Sequence, residues 1–421
     1  MSAAVATRAQ PRLLPPPGRR ADDLGAHLRR FGPLPYLGGP RLLIPDLRAA
    51  GLTGRGGAAF GVYRKLEAVA SAPGRPIVVG NGAEGEPASH KDKTLLQVAP
   101  HLVLDGLQLA AEATAADRAV LYLCDAPIGA RLRELLEQRA AHGLDRVGVQ
   151  VVIAPPRFLA GQETALTNVL NGGPALPRFT LPRIFERGVG GRPTLVQNVE
   201  TLAHLAMIAR YGPGWLRATG TPDEPGTMLC TVTKQDGSVS VTETPIGTLL
   251  DDLIDLAGTS AVLVGGYHGA WIPAAQVAGL PLSNAALRPL GASVGAGVLA
   301  ALPRDRCGVA ETARIARYLA LESAGQCGPC LAGLPRIAAG LTEVAGARPR
   351  PAVLADLSRW AGLVSGRGAC HHPDGTVRFV SSALRTFAAE IRQHQRGSCS
   401  ATSAAPFLPV TPGPVGEADW S

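Results

Sequence analysis

A pair of cysteines near residue 330 has the spacing of a metal or redox site. Cys327 and Cys330 stand as C-x-x-C in ESAGQCGPCLAG, and Cys370 follows in GRGACHHPDG. Cysteines at this spacing and at the start of a helix bind zinc or an iron–sulfur cluster, or work as a redox pair. The alternative is that they are buried and act as small hydrophobic residues. Gly-Pro between the two cysteines of an intracellular chain favours the chemical role.

A glycine-rich stretch, GLTGRGGAAFGVYRKL at residues 51–66, suits a phosphate-bearing ligand. Glycine lets the backbone approach a ligand closely, and N–H groups beside Arg55 and Lys65 would complement a phosphate. On these residues alone, a tight turn between a strand and a helix without any ligand is an equally good interpretation.

Acidic residues stand where a strand ends or a helix begins. NGAEGEPASHKDK, residues 81–93, follows a buried strand and contains Glu84 and Glu86. FLAGQETALTNVLNG and RPTLVQNVETLAHL carry Glu-Thr pairs, with Glu163 and Glu200, at the head of an apolar helix. Taken singly, each also fits a capping loop or an ordinary helix N-terminus, where glutamate complements the dipole.

The region that must position the glycine loop and the acidic segments is residues 40–222. Short apolar segments such as RPIVVG, RAVLYLCD and RVGVQVVIA alternate there with helical ones. This rhythm predicts an α/β, Rossmann-like domain with a mainly parallel sheet covered on both faces. Nucleotides bind such folds beyond the carboxyl ends of the strands, which is where NGAEGEP lies.

Two further domains are predicted. In residues 225–305, TMLCTVTK and SVSVTET flank the turn QDGS and precede a helical segment, which indicates a β-grasp domain. Residues 308–395 have helical spacing throughout and predict a helical bundle that carries the C-x-x-C pair. Residues 1–20 and 396–421 are rich in Pro, Ala, Ser and Gly and are predicted to be disordered.

Composition excludes several classes of protein. The net charge of +8 comes from scattered arginines rather than a basic block, so no nucleic-acid partner is expected. The chain begins without a signal-peptide pattern, and its most apolar stretch is interrupted by Gly, His and Pro; we expect a cytoplasmic protein without direct membrane insertion. Seven cysteines argue against a disulfide scaffold, and Cys124, Cys230, Cys307 and Cys399 are expected to be structural or incidental.

In combination these motifs resemble the FMN- and NADH-binding F-type subunit of respiratory complex I and of related flavin-based hydrogenases and formate dehydrogenases. GRGGAAF is similar to the family's GRGGAGF, NGAEGEP to N-x-D-E-x-E-P, GQETAL to GEETAL, and ESAGQCGPC to E-S-C-G-x-C-x-P-C. GRPTLVQNVETL is similar to G-K/R-P-T-x-V-N-N-V-E-T-L. NGAEGEP is closer still to the NGAE-x-EP form in the C subunit of Rnf-type ferredoxin:NAD reductases. The resemblance covers about residues 40–395.

The resemblance implies that the glycine loop lies under a flavin mononucleotide and that NAD(P)H binds beside it. No catalytic side chain is expected, because the flavin itself carries out the hydride transfer. The residues that stand where the family binds FMN or NADH are Gly54, Arg55, Gly56, Gly57, Phe60, Lys65, Asn81, Glu84, Glu86, Phe158, Gly161, Glu163, Val196, Gln197, Asn198 and Thr201.

The sequence departs from the family on the nicotinamide side and at the cluster. Arg183 stands where the family has an aromatic ring, and would stack as a cation or meet the 2′-phosphate of NADPH. Ala324 replaces the first cluster cysteine, which leaves Cys327, Cys330 and Cys370 as metal ligands. A 4Fe-4S cluster would then take its fourth ligand from solvent, a small thiol, or His371 or His372; a three-iron cluster and no cluster are the alternatives.

The sequence therefore predicts an NADH dehydrogenase-like flavoprotein oxidoreductase. It would pass electrons from NAD(P)H through FMN to an iron–sulfur cluster or a ferredoxin-type acceptor, with a ferredoxin-like or other electron-transfer subunit as its partner. One alternative is a degenerate, non-catalytic scaffold or ligand-binding subunit, which Ala324 and the missing rings favour. The other is a flavoprotein that exchanges electrons with ferredoxin without nicotinamide.

Overall fold

The computed structural model describes residues 12–15, 23–179, 181–410 and 416–420. The predicted disordered segment 1–20 therefore lies mostly outside the described residues. Two sheets and a helical bundle follow one another along the chain. The fold class predicted from the sequence, a parallel-sheet flavin-type domain followed by a β-grasp and a helical bundle, is confirmed.

The first sheet has four strands, all parallel, in the order β3-β2-β1-β4. These are β1 Ile77–Gly82, β2 Arg118–Leu123, β3 Val149–Ile153 and β4 Thr194–Asn198. Valine, isoleucine and leucine fill the central strands because both faces are covered by other elements. The register pairs Asn81 with Asn198, so two amide side chains meet at the carboxyl edge of the sheet.

Ten helices of the described residues accompany this sheet. They are α1 Leu24–Phe31, α2 Ile44–Ala50, α3 Val62–Ser71, α4 Lys91–Val98, α5 Pro100–Thr114, α6 Ala126–Ala141, α7 Glu163–Leu170, α8 Ile184–Arg187, α9 Val199–Tyr211 and α10 Pro213–Arg217. The helical pattern that follows β1 in the sequence divides into α4 and α5 at Pro100, because proline lacks the N–H that would continue the first helix. Gly106 lets α5 approach α9, since a Cβ there would lie 1.9 Å from the carbonyl oxygen of Leu202.

The second sheet has five strands in the order β6-β5-β9-β7-β8, with β5 and β9 parallel and the other pairs antiparallel. A parallel central pair flanked by two hairpins is the β-grasp arrangement predicted from the sequence. The strands are β5 Thr227–Thr233, β6 Val239–Pro245, β7 Thr259–Val264, β8 Ala270–Pro273 and β9 Val298–Pro303. Its short helices are α11 Leu250–Leu253, α12 Ala274–Val277 and α13 Asn284–Leu287.

The bundle consists of α14 Gly308–Leu321, α15 Leu334–Ala345, α16 Val353–Val364, α17 His372–Thr386 and α18 Ala388–Gln395. A π-helical turn, Pro329–Gly333, precedes α15 and contains the second cysteine of the C-x-x-C pair. Such turns are rare and occur mostly at functional sites.

The segment after α18 differs from the predicted disordered tail where the structure describes it. Leu408 is buried in the core of the bundle, and its backbone N–H donates to Glu311 Oε1 at 2.6 Å. Trp420 is also buried, against the loop before α7. A few apolar residues therefore anchor a segment whose composition favours disorder. Residues 411–415 and 421 lie outside the described part of the chain.

Candidate functional site

A cavity of about 280 Å³ opens at the carboxyl edge of the first sheet. Four segments surround it: the glycine loop, the end of β1, the loop that leads into α7, and the junction of β4 with α9. The predicted residues that line it are Gly54, Gly56, Phe60, Lys65, Asn81, Gly161, Glu163, Val196, Gln197, Asn198 and Thr201. Segments far apart in the sequence thus meet around one space.

Two asparagines at the strand ends fix the walls of this cavity. The Asn81 side-chain amide donates to the carbonyl oxygen of Gly161 at 2.8 Å and ties β1 to the α7 loop. Asn198 is the N-cap of α9, where its Oδ1 accepts the Glu200 N–H at 3.0 Å. Its amide donates to Asp92 Oδ2 at 2.7 Å, so Asn198 is held from both sides.

Gly161 is required by close packing under the cavity. A Cβ at this position would lie 2.6 Å from the carbonyl oxygen of Ala83, closer than real Cβ contacts. The next residue, Gln162, caps α7 by accepting the N–H groups of Thr164 and Ala165 at 2.7 and 3.0 Å. Gln162 replaces a glutamate of the resembled motif and performs the capping through its amide oxygen.

The polar groups of the cavity fit a hydrogen-bonding ligand. Gln197 is 4% exposed, and its Nε2 has no hydrogen-bond partner among the described residues. A buried donor is normally satisfied, so this amide marks the place of a ligand acceptor. Lys65 Nζ lies 3.1 Å from Glu163 Oε1 and 3.4 Å from the carbonyl oxygen of Val196. The Gln197 amide and the Lys65–Glu163 ion pair therefore offer hydrogen-bonding groups that suit the polar edges of a flavin.

A buried charge cluster supports the head of α9 from behind. Lys91 Nζ lies 2.7 Å from Asp92 Oδ1 and 2.9 Å from Glu200 Oε2. Burial raises the pKa of Glu200, but attraction to Lys91, His204 and Arg55 together outweighs burial and lowers the pKa to about 2. Glu200 also accepts the Leu229 N–H at 2.8 Å, so the cluster joins the first sheet to the β-grasp.

Five predicted binding residues lie away from this cavity. Glu84 caps α4 by accepting backbone N–H groups, and Gly57 borders a separate cavity of about 790 Å³. The buried Arg55 guanidinium donates to the carbonyl oxygens of Pro225 and Thr227 in the β-grasp. The observed side-chain contacts of Glu84 and Arg55 are structural, and their role at the ligand stays a prediction.

Glu86 and Phe158, the last two of the five, join domains. Glu86 Oε1 accepts the Tyr267 N–H at 2.8 Å, and burial raises the pKa of Glu86 to about 8. The ring of Phe158 lies edge-on to His268, with centroids 4.8 Å apart, and 5.7 Å from the ring of His372. Both residues therefore contact the β-grasp or the bundle rather than the cavity.

A second cavity, of about 490 Å³, adjoins the first and shares Phe60, Lys65, Glu163 and Val196 with it. Its outer wall is formed by α3 and α8, and includes Ala68, Arg183 and Phe185. The partly exposed Phe185 supplies an aromatic ring two residues after Arg183. Sequence reasoning missed Phe185 because it compared only aligned positions; the phenylalanine in RIFER was the available signal.

The three predicted metal ligands are brought together in the bundle. Backbone N–H groups of Ala369 and Cys330, with the Cys330 thiol, outweigh burial and lower the pKa of the Cys327 thiol. Burial and the nearby Cys327 raise the pKa of Cys330 to about 12, and Cys370 is close enough to contribute. The three cysteines therefore lie close enough to one another for their charges to interact.

The neighbours of these cysteines restrict the fourth ligand. Ala324 packs in the cluster that contains Leu159, Ala160 and Trp420. His372 is buried, and its two ring nitrogens are engaged with His268 Nε2 at 3.1 Å and the Leu319 carbonyl at 2.8 Å. His371 is exposed at the N-cap of α17. Of the two predicted histidines, His371 alone retains ring nitrogens without a described partner.

No helix in the described part of the chain combines the length and apolar character needed to cross a bilayer.

Family models and relatives agree with one assignment. Residues 47–207 match the Nuo51 FMN-binding domain, and residues 310–394 match the NADH-ubiquinone oxidoreductase-F iron-sulfur binding region. The F subunit of the NADH-quinone oxidoreductase of Streptomyces coelicolor is 28% identical over 379 residues, which are 85% of this chain and 84% of the relative. An F subunit of the Rhizobium meliloti enzyme, the one numbered 2, is 28% identical over 376 residues, 84% of this chain and 89% of the relative.

Solved structures give the same result. An NAD⁺-reducing [NiFe]-hydrogenase superposes in its H₂-reduced and air-oxidized states with TM-scores of 0.75 and 0.76, at 30% sequence identity. The match covers 87% of this chain and 64% of the hydrogenase chain, so this protein spans less than two thirds of that neighbour. The chain belongs to the family of FMN-binding F subunits of NADH-quinone oxidoreductases.

Proposed function

We propose that this chain oxidises NADH at an FMN bound in the 280 Å³ cavity and delivers the electrons to an iron–sulfur cluster at Cys327, Cys330 and Cys370. One observation carries the proposal. The loop before α7 lines the cavity at Gly161, and its Phe158 packs on His372, two residues after Cys370. A single short segment thus contacts the flavin cavity and a residue beside the cysteine site, which supports electron transfer between the two.

Bound flavin would supply the exchange between a two-electron hydride donor and one-electron iron–sulfur acceptors. The protein residues bind and orient it. Gln197 offers a free donor, Lys65 offers a cation, and the glycine loop offers a close backbone approach. The Arg55 N–H donates to Thr201 Oγ1 at 2.9 Å and holds the loop against α9.

The adjoining 490 Å³ cavity is the proposed nicotinamide site. Phe60 and Phe185 are both partly exposed and line it, so either ring could stack on a base. Glu163 faces both cavities, and Arg183 stands at the outer wall. A carboxylate disfavours the 2′-phosphate of NADPH and an arginine favours it, so the two cofactors should be compared directly.

The cysteine site fits a cluster with three protein thiolates. The three cysteines lie within the region, residues 310–394, that matches the iron–sulfur model, and Ala324 leaves one ligand position for His371, solvent or a small thiol. The thiolates would hold the cluster, and the apolar packing around Cys330 would limit access of water.

A ferredoxin-like protein or another electron-transfer subunit is the proposed partner, because the named relatives are subunits of larger assemblies. A cytoplasmic location is proposed with it. Seven cysteines at low density argue against a disulfide scaffold, which supports a reducing compartment. We propose the domain limits 40–222, 225–305 and 308–395 given by the sequence.

The test is the visible spectrum of anaerobically purified protein, recorded before and after NADH and, in parallel, NADPH. Flavin bands that bleach with one nucleotide support the proposal and identify the hydride donor. Flavin bands that neither nucleotide bleaches, but that reduced ferredoxin does, would support the alternative without nicotinamide. A colourless protein that takes up no added FMN would overturn the proposal and favour a scaffold.

A further inference from the structure

A second set of metal-type ligands lies at one end of the bundle, away from the three cysteines of the cluster site. Cys307, Glu390, His394 and Cys399 each place one ligand atom within 4.8 Å of the others. Two thiols, an imidazole and a carboxylate are the donors that Zn²⁺ takes in tetrahedral sites. We propose that these four residues form a structural zinc site.

The histidine is already oriented as a metal ligand. His394 is 3% exposed, and its Nδ1 lies 3.0 Å from the carbonyl oxygen of Val344. A carbonyl only accepts, so Nδ1 carries the proton and Nε2 presents a lone pair toward Cys307 Sγ, 3.5 Å away. A backbone carbonyl that fixes the imidazole tautomer in this way is usual at metal sites.

The carboxylate has an unused oxygen. Glu390 lies one helical turn before His394 on α18, so both side chains share a face. Glu390 Oε2 accepts the Gly308 N–H at 3.3 Å, while the buried Oε1 has no partner among the described residues. Such an oxygen costs stability unless a cation or a donor meets it, and a metal ion would supply that partner.

The fourth ligand is delivered by a chain reversal after α18. Gly397 has φ +83°, a conformation that favours glycine, and its N–H donates to the His394 carbonyl at 2.9 Å. The Ser398 N–H donates to the Gln393 carbonyl at 3.0 Å, which closes the turn and brings Cys399 back toward the helix.

A zinc ion bound by these four residues would leave an excess negative charge. Two thiolates and one carboxylate carry one negative charge more than Zn²⁺ neutralises. Arg306 and Arg314 line the adjoining cavity of about 410 Å³, together with Cys307, His394 and Cys399. Glu311 lines the same cavity and pairs with Arg314, and Asp305 lies 3.7 Å from Arg306, so these two cations offset the excess charge only in part.

A disulfide between Cys307 and Cys399 explains less of the geometry. Both cysteines are free thiols here, and a disulfide would leave His394 Nε2 and Glu390 Oε1 without a role. Zinc would use all four groups. It would also hold the C-terminal segment, whose Leu408 enters the bundle core a few residues later.

The experiment measures zinc and iron in the full-length protein by elemental analysis after purification under reducing conditions and removal of loosely bound metal. We expect about one zinc per chain in the wild type. Cys399→Ser and His394→Gln should each lower bound zinc at least about tenfold, because each removes one of the ligands that fix the metal. Cys124→Ser removes a thiol elsewhere and should retain zinc. Iron and flavin should be unchanged in all three variants.

The proposal is overturned if reduced wild-type protein takes up no zinc from added ZnCl₂, or if both ligand variants keep wild-type zinc. A Cys307–Cys399 disulfide, found by mass spectrometry after rapid alkylation of freshly lysed cells, would overturn it as well. Cobalt substitution gives a second readout when the wild type is compared with Cys399→Ser, because Cys327, Cys330 and Cys370 can also bind Co²⁺. Visible bands of tetrahedral, thiolate-bound Co²⁺ are expected to be stronger in the wild type, and equal bands in the two proteins count against the site.

Discussion

Replacing Gln197 by leucine should have opposite effects on the apoprotein and on its complex with FMN. Gln197 lies on β4, lines the 280 Å³ cavity, and carries a buried amide nitrogen without a partner among the described residues. Leaving a buried donor unsatisfied costs about 1–3 kcal/mol. Leucine has a similar size and no polar group, so Gln197→Leu removes this cost. The substitution should raise the free energy of unfolding of the apoprotein by about 1–2 kcal/mol.

The same substitution should weaken FMN binding. A hydrogen bond between neutral groups contributes about 0.5–1.5 kcal/mol net. Since 1.4 kcal/mol is tenfold in affinity, the dissociation constant for FMN should rise about 2- to 12-fold. An increase in stability coupled to a loss of affinity is the signature of a group kept for its ligand.

The assay compares urea denaturation of the apoproteins with titrations of FMN followed by the quenching of flavin fluorescence. Gln108→Leu is the matched control, because Gln108 is 1% exposed but fully bonded. Its Nε2 donates to the Val147 carbonyl at 2.7 Å, and its Oε1 accepts the Val147 N–H at 3.0 Å. This control should lower the denaturation midpoint and leave FMN affinity unchanged in folded protein.

The reasoning is refuted if Gln197→Leu lowers the denaturation midpoint of the apoprotein while the FMN dissociation constant stays at the wild-type value. Gln197 would then stabilise the fold through interactions unrelated to a ligand.

Three further predictions concern the domain joint, the nicotinamide site and the cluster. Burial raises the pKa of Glu86 from 4.5 to about 8, so the folded state binds a proton that the unfolded state releases, and stability falls as pH rises through that window. Glu86→Gln, which still offers an oxygen to the Tyr267 N–H, should flatten this slope in denaturation midpoints; an unchanged slope would show that other groups cause it. Phe185→Ala should raise the KM for NADH about fivefold or more at unchanged FMN content, if ring stacking is worth at least about 1 kcal/mol. Phe179→Ala, at an exposed position, is the control. A KM equal to the wild-type value in Phe185→Ala would exclude a stacking role. Ala324→Cys should raise iron content and the lifetime of the cluster in air relative to Ala324→Ser, since only the thiol adds a ligand. Identical iron content and lifetime in both variants would contradict residue 324 as the open ligand position.

The sequence predicted the parts of the site that depend on local chain geometry. Asn81 was expected at the end of a strand and Asn198 at the head of a helix, and the structure pairs the two at the carboxyl edge of the sheet. Gly161 was also predicted to lie at the site, and the structure shows why this position is a glycine: a Cβ there would collide with the Ala83 carbonyl. The residue roles around FMN and NADH stay predictions until they are measured.

Contacts between distant segments could not be predicted in the same way. Arg55 and Glu86 were expected at the ligand because of their motifs, but their partners in the β-grasp lie more than a hundred residues away. Asp105 is a similar case: it is buried in α5, with His27 Nε2 and Arg139 Nη2 each 2.8 Å away. Local periodicity carries no information about which charge will complete such a pair.

The C-terminal segment shows the limit of composition as a guide. Its small and polar residues favour disorder, yet Leu408 reaches the bundle core. Cys307 and Cys399, which are far apart in the sequence, were expected to be structural or incidental. The chain reversal at Gly397 brings them to one place. Neither cysteine spacing nor hydropathy predicts that turn.

The central claim is that the glycine loop, the end of β1 and the head of α9 enclose one FMN. Its most direct test is the amount and identity of the flavin extracted from the purified wild type, from Gly161→Val and from Gly148→Val. Gly148 is exposed and has open space around its Cβ position, whereas a Cβ at Gly161 would collide with the Ala83 carbonyl. We predict about one FMN per chain in the wild type and in Gly148→Val, and almost none in Gly161→Val. Wild-type protein without FMN, or Gly161→Val with a full complement, would contradict the claim.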